Sequence, residues 1–231
     1  MSPAEYKRSI VTINKEVLAE LTAAEFKGEI CVVETIEELA NAIKELRKEK
    51  ILGFDTETRP TFRKGQQYNV ALVQLSTSKK SYLIRTNRIG YPQELIDLLE
   101  DSGILKVGLS IHDDFLNLRR VTELSPSGFI DLQQYVKDYK IADNSLSRVY
   151  AILFGERISK GQRLSNWEAN ELSEAQQKYA AMDAFACIRI YQYLQEGKFD
   201  PAKSQYLTLP PEPEESEYDK DPGEEISPEE K

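Results

Sequence analysis

The chain has 231 residues, 40% of them hydrophobic, and a net charge of −9, which allows one substantial α/β domain with extensions and argues against a simple basic nucleic-acid binder. No stretch reaches the roughly 18 apolar residues of a membrane-spanning helix, and the N-terminal MSPAEYKRSIV has no apolar run that could serve as a secretory signal. A cytoplasmic protein with no membrane partner is therefore expected.

Residues 1–27 are expected to form an accessory arm with a short helix near Lys15–Ala24, and the compact domain to span residues 28–200. Gly28–Glu34 reads as a strand. Thr35 and Glu38 make a capping box for a helix that runs to about Glu49, with Ile36, Leu39, Ile43 and Leu46 on one face. Ile51–Glu57, Asn69–Ser76 and Ser81–Arg85 read as strands, the last two separated by the turn-prone Thr77–Lys80. Pro92–Glu100 is a helix, Leu105–Leu109 a strand, Ile111–Arg120 a helix, and Phe129–Leu132 a short strand leading into another helix. Ser145–Phe154 is helical. Ser173 and Gln176 form a second capping box before the longest helix, Glu174–Leu194. Cys31 and Cys187 lie far apart, form no CxxC, and read as small buried hydrophobes in a reducing compartment. Residues 201–231 hold ten acidic and three basic residues and six of the ten prolines, so their net of −7 leaves only −2 for residues 1–200. A disordered acidic tail is expected. Early strands and late helices predict an α/β fold with a mixed sheet flanked by helices.

Three segments carry carboxylates that suggest chemistry. Asp55 and Glu57 sit two apart on a strand, so their side chains share a face at the end of the apolar Ile51–Phe54. Gly53 lies on that same face and leaves room beside them. Tyr179 and Asp183 are four apart on a helix, stacked on one face among Ala180, Ala181, Ala184 and Ala186. Asp114 falls on the side of its helix shared with Ile111 and Leu118, whereas Asp113 lies off that side. Each segment has a plain reading too: a solvated strand end, a core tyrosine, or acids favouring a helix N-terminus. Taken together, four carboxylates supply the oxygen ligands that hard divalent cations prefer. Two such ions about 4 Å apart can clamp a phosphodiester during in-line displacement.

With these residues in place, the sequence resembles the DEDD 3′–5′ exonucleases of the tyrosine-containing subgroup, similar to ribonuclease D and the Werner syndrome exonuclease domain, over roughly Glu34–Leu194. The matching segments are Phe54-Asp55-Thr56-Glu57-Thr58, Lys106–Ile111 with Asp114, Leu164-Ser165-Asn166-Trp167, and Leu172-Ser173 through Tyr179 to Ala184. The resemblance implies a ribonuclease H-like mixed sheet of five to six strands. It implies two Mg²⁺ or Mn²⁺ ions and release of 5′-mononucleotides from the 3′ end of DNA or RNA. Asp55, Glu57 and Asp183 would hold one ion, Asp55 and Asp114 the second, and Tyr179 would position the attacking water.

The substrate contacts expected are Thr56, Arg59, Phe62, Arg63, Lys64, His112 and Trp167. The segment Thr58–Asn69 interleaves cations with aromatics, as a single-strand grip does, although a solvated hairpin loop reads equally well. His112, the only histidine, also fits a plain helix-start residue. One departure stands out: related exonucleases follow the Trp with an arginine and a proline, but here Trp167 is followed by Glu168-Ala169-Asn170-Glu171. The missing cation and the acidic surface leave open a weakly active or inactive nucleic-acid-binding module that retains the fold. A purely structural α/β domain is the third reading. Protein partners are not indicated.

Overall fold

The computed structural model describes residues 1–63 and 65–210. In chain order the elements are α1 (Pro3–Arg8), β1 (Ile10–Val11), α2 (Lys15–Glu20), β2 (Glu29–Val33), α3 (Ile36–Leu46), β3 (Ile51–Thr58), β4 (Val70–Ser76), β5 (Lys80–Ile84), α4 (Thr86–Ile89), α5 (Gln93–Glu100), β6 (Leu105–Gly108), α6 (Ile111–Leu118), β7 (Phe129–Asp131), α7 (Leu132–Tyr135), α8 (Leu146–Phe154), α9 (Glu174–Gln195) and β8 (Leu207–Thr208). Six strands form one sheet in the order β2-β5-β4-β3-β6-β7. Only β4 runs antiparallel to its neighbours; β2–β5, β3–β6 and β6–β7 are parallel. This is the mixed sheet expected from the sequence, at the upper limit of the expected strand number.

Alternation along β3 divides its side chains between two layers. Leu52 and Phe54 enter a core with Leu39 and Leu46 of α3, Leu95 and Leu99 of α5, and Ile111 and Leu118 of α6. Gly53 and Asp55 point to the opposite face, where α9 lies across five of the strands. The helix comes so close that a Cβ at Gly53 would sit 1.8 Å from the Ala184 carbonyl oxygen. The absence of a side chain at Gly53 therefore lets the helix backbone in, rather than leaving open space beside the carboxylates.

Both capping boxes form, Thr35 with Glu38 and Ser173 with Gln176. Ile36 does not join the buried face of α3: it is 52% exposed, and Ala42 takes the fourth core position. The helix starts at Ile36, so its first side chain overhangs the end of the core. Cys187 is buried as expected, but Cys31 is only half-buried on the edge strand β2, with its Sγ 3.4 Å from Glu29 Oε1.

The N-terminal arm has more structure than its sequence suggests. Its predicted helix is confined to Lys15–Glu20, and a second helix, capped by Ser2, precedes it. Val11, Ile13 and Phe26 are buried in the same core as α8 and α9. Asp143 accepts from Thr12 Oγ1 and the Ile13 N–H, both at 3.0 Å. The expected tail also differs at its start: Leu207 and Thr208 pair with Val11 and Ile10 to form a separate two-stranded sheet. Residues 211–231 of that tail lie outside the described residues. Among the described residues, no helix is long and apolar enough to cross a membrane.

Candidate active site

The carboxylates converge at the C-terminal end of β3. Asp55, Glu57 and Asp183 place one carboxylate oxygen each within 4.8 Å of one another. Asp55 and Glu57 reach the same face by alternation on β3, and Asp183 descends from α9, which the missing side chain of Gly53 holds close. The β3–β4 register shifts between Glu57 and Thr58, so regular pairing stops as the strand leaves the site. Such irregularities are common beside active sites.

Asp114 arrives by a different route. Ser110 before α6 adopts φ 62° and ψ 37°, a left-handed conformation uncommon outside glycine. Its N–H donates to Asp131 Oδ1 at 2.9 Å. This sharp entry turns α6 so that Ile111 and Leu118 are buried while Asp114 lies half-buried beside β3. The Thr56 hydroxyl donates to Asp114 Oδ1. Thr56 therefore ties the fourth carboxylate to the strand that carries the first two. Its hydroxyl, expected on the substrate, is directed at Asp114.

Packing acids together shifts their protonation. Burial, then the charges of Asp183, Asp114 and Glu57, raise Asp55 well above the ordinary carboxylate range. Burial and the charges of Asp183 and Asp114 push Glu57 up to about 9. Burial lifts Asp183 to about 7 against the opposing effect of the Tyr179 hydroxyl, and Asp114 to about 6 against the Thr56 hydrogen bond. Among the described residues, no ion pair within 4.0 Å involves any of the four. A compact set of buried and half-buried oxygen donors with no cationic partner suits a hard divalent cation, whose charge would offset both the desolvation and the mutual repulsion.

Tyr179 stands one turn before Asp183 on α9. Burial and the neighbouring Asp183, Glu57 and Asp55 hold its hydroxyl well above the usual phenol range. Trp167 supports the ring from behind, with centroids 6.0 Å apart. The indole is fully buried, which corrects the expectation that it contacts substrate: it joins Leu72, Leu83 and Ala180 in a small apolar cluster.

The segment after β3 gives a mixed result. Arg59, Phe62 and Arg63 line a cavity of about 450 Å³ with Tyr68, Leu164 and Asn166, and Phe62 is 83% exposed. Arg59 is already engaged, 3.2 Å from Glu168 Oε2 and 4.7 Å above the Tyr68 ring. Glu168, the first residue after Trp167, is thus paired with a cation of the expected strand grip. His112 is exposed on the first turn of α6, and Lys64 lies outside the described residues.

Several contributing residues escaped the sequence reading. Arg163 lowers Glu57 and Lys160 lowers Asp183 by their positive charge. Two cations three apart, just before the Leu164–Trp167 segment, were the available signal. Arg85 is fully buried, and its guanidinium holds Glu34 Oε1 at 2.6 Å, the Asn170 carbonyl at 2.9 Å and the Ala169 carbonyl. It braces the segment that follows Trp167. As a strand-end arginine it carried no sequence signal.

Comparison with known proteins gives the same outline. A family model described as 3′–5′ exonuclease matches residues 30–197. The bifunctional 3′–5′ exonuclease/ATP-dependent helicase WRN of Mus musculus is 35% identical over 150 residues, covering 62% of this chain and 11% of that protein. The chain spans about half or less of the first curated relatives it matches. Among solved structures, the Aedes aegypti Nibbler EXO domain superposes with a TM-score of 0.66 at 21% identity, covering 78% of this chain and 96% of that one. Escherichia coli RNase D superposes with a TM-score of 0.65 at 23% identity, covering 73% and 44%. The fold is ribonuclease H-like, as these neighbours share it.

Proposed function

From the premise that this chain belongs to the 3′–5′ exonuclease family, in its tyrosine-containing DEDD subgroup, we propose that it hydrolyses polynucleotides from the 3′ end by metal-dependent chemistry. The observation that carries this reading is the meeting of Asp55, Glu57 and Asp183 within 4.8 Å, with Tyr179 one turn away and Asp114 tied in through Thr56.

Asp55, Glu57 and Asp183 would hold one Mg²⁺ or Mn²⁺, and Asp55 with Asp114 a second. Cations bound there supply charge neutralisation for the phosphoryl oxygens and a lowered pKa for water. Tyr179, kept in its neutral form, offers a hydroxyl that can orient the attacking water. Arg63 and Phe62, lining one cavity with Leu164 and Asn166, offer the strand charge and an exposed ring to stack on, and Arg59 would join them on release from Glu168. Water adds to the terminal phosphorus and the bond to the penultimate 3′ oxygen breaks. The products are a 5′-mononucleotide and a strand one residue shorter with a new 3′ hydroxyl.

The test is a time course on matched DNA and RNA, each as a single strand and as a recessed duplex, with Mg²⁺ or Mn²⁺. The expected result is stepwise mononucleotide release that is lost in EDTA and in Asp55→Asn. Tight strand binding without hydrolysis, unaffected by Asp55→Asn, would instead support a binding module that retains the fold.

A further inference from the structure

Gln74 on β4 lies directly across from Asp55 on β3. Opposed residues of an antiparallel pair point to the same face, with Cβ atoms roughly 4.5–5.5 Å apart. Amide and carboxylate therefore share the side of the sheet covered by α9. Gln74 is fully buried, and neither its Nε2 nor its Oε1 has a hydrogen-bond partner.

The surroundings offer the amide little else. Leu83 opposes it on β5. Leu72, next on the same face of β4, belongs to the cluster with Ala180 and Trp167, whose indole N–H is also unpartnered but, as a donor, can meet only the amide's Oε1 and not its Nε2. Ser76, on the other side, is matched with Ser81 at 2.7 Å. A buried amide left unpaired is less favourable than an apolar side chain of the same shape, and nearly all buried polar groups in folded proteins have partners. An orphan amide directly across the pair from a carboxylate is accounted for if the two meet once a bound cation fixes how that carboxylate is turned. An ionised carboxylate has lone pairs enough to accept from an amide and still bind a cation.

We propose that Gln74 is a positioning residue for Asp55: its Nε2 donates to the Asp55 carboxylate in the cation-bound protein and sets the rotamer in which Asp55 presents its oxygens. The inference rests on reading the carboxylate cluster as a divalent-cation site. It assigns Gln74 a role toward Asp55 and none toward the substrate.

Gln74→Met separates this role from simple core packing, because Met keeps the length and approximate volume while removing both polar atoms. Two measurements on the full chain are decisive: thermal melting in EDTA, and calorimetric titration with Mn²⁺. The expected outcome is a melting temperature in EDTA equal to or above wild type, with Mn²⁺ affinity weakened by about 10- to 100-fold, as is usual when a partner of a metal-binding carboxylate is lost. Turnover should fall with KM for an oligonucleotide unchanged. Gln74→Asn, which keeps the amide but withdraws it by one methylene, serves as a second variant and should lose Mn²⁺ affinity likewise. If the wild type binds Mn²⁺ and either folded variant binds it equally well, the role of Gln74 is overturned and the cation site stands. A wild-type chain that binds no Mn²⁺ overturns both.

Discussion

Trp167 and Tyr179 lie ring against ring, their planes inclined by 36°, and the indole is sealed from solvent. Any influence of the tryptophan on the site must therefore pass through the tyrosine it packs against. Trp167→Ala should destabilise the fold by about 3–5 kcal/mol, the usual cost of removing a buried aromatic side chain. Trp167→Phe retains a ring and should stay within about 2 kcal/mol of wild type. It should nonetheless lower kcat several-fold with little change in KM, as the tyrosine loses part of its backing. Denaturant melts and steady-state kinetics test this. A rise in KM at constant kcat would return Trp167 to the substrate contacts.

Tyr179→Phe removes only the hydroxyl. A positioned hydroxyl of this kind should be worth about 10²-fold or more in kcat. Burial and the acidic neighbours keep the phenol protonated beyond its ordinary range. The alkaline limb of the wild-type pH–rate profile should therefore not belong to Tyr179, and the variant should keep the same limb at a lower rate. A limb that vanishes in the variant contradicts this assignment.

The metal-free protein should lose stability as pH rises. Glu57 and Asp183 have folded pKa values raised to about 9 and about 7 from ordinary values of 4.5 and 3.8. Protons are thus held more tightly in the folded chain, and their stabilising contribution is fully present below the ordinary carboxylate values. It is lost as pH climbs through 7 and then 9. Thermal melts in EDTA across that range should show the decline, and saturating Mn²⁺ should flatten it. A melting temperature in EDTA that rises over the same range would contradict the burial of this cluster.

The paired acids on β3 and the tyrosine and aspartate on α9 were legible in the sequence, because alternation and helical spacing are local rules. The inward side of Asp114 was legible for the same reason. What binds Asp114 to β3 was not: the Thr56 hydroxyl and the acid it holds are 58 positions apart in sequence. Trp167 was misread because an aromatic beside a motif looks available until the packing around it is known. Arg85 and Gln74 were passed over because polar residues in a strand pattern ordinarily mark the solvent face, and here both are enclosed. The two-residue strands β1 and β8 are too short to carry a periodic signal.

Arg85→Met should unfold the protein more easily, by roughly 1–3 kcal/mol in all, because two carbonyls lose its buried guanidinium. Ala169 and Asn170 supply those carbonyls, with Arg88 a second donor to Asn170 at 2.6 Å. Arg85→Lys should rescue little, since a single ammonium cannot reproduce the guanidinium fork. Chemical denaturation of the two variants tests both statements.

Gly53→Ala adds one methyl group and should be among the most damaging small changes, because the Ala184 carbonyl already fills that space. α9 must shift, and Asp183 with it, so Mn²⁺ affinity and turnover should fall together. A variant with wild-type affinity would mean that the helix can yield without moving its aspartate.

The arm and the segment around β8 bear on where this fold can be cut. Similarity to other exonucleases runs from residue 30 to residue 197, yet Val11, Ile13 and Phe26 lie buried before that stretch, and Leu207 and Thr208 pair with the arm beyond it. A fragment trimmed to the shared region would bare an oily scar: Phe185 would lose the ring of Phe26 that meets it at 5.0 Å, and Ile141 would lose its backbone bridge to Val11. The stretch shared with the family and the stretch that keeps its own core covered are different lengths of the same polypeptide.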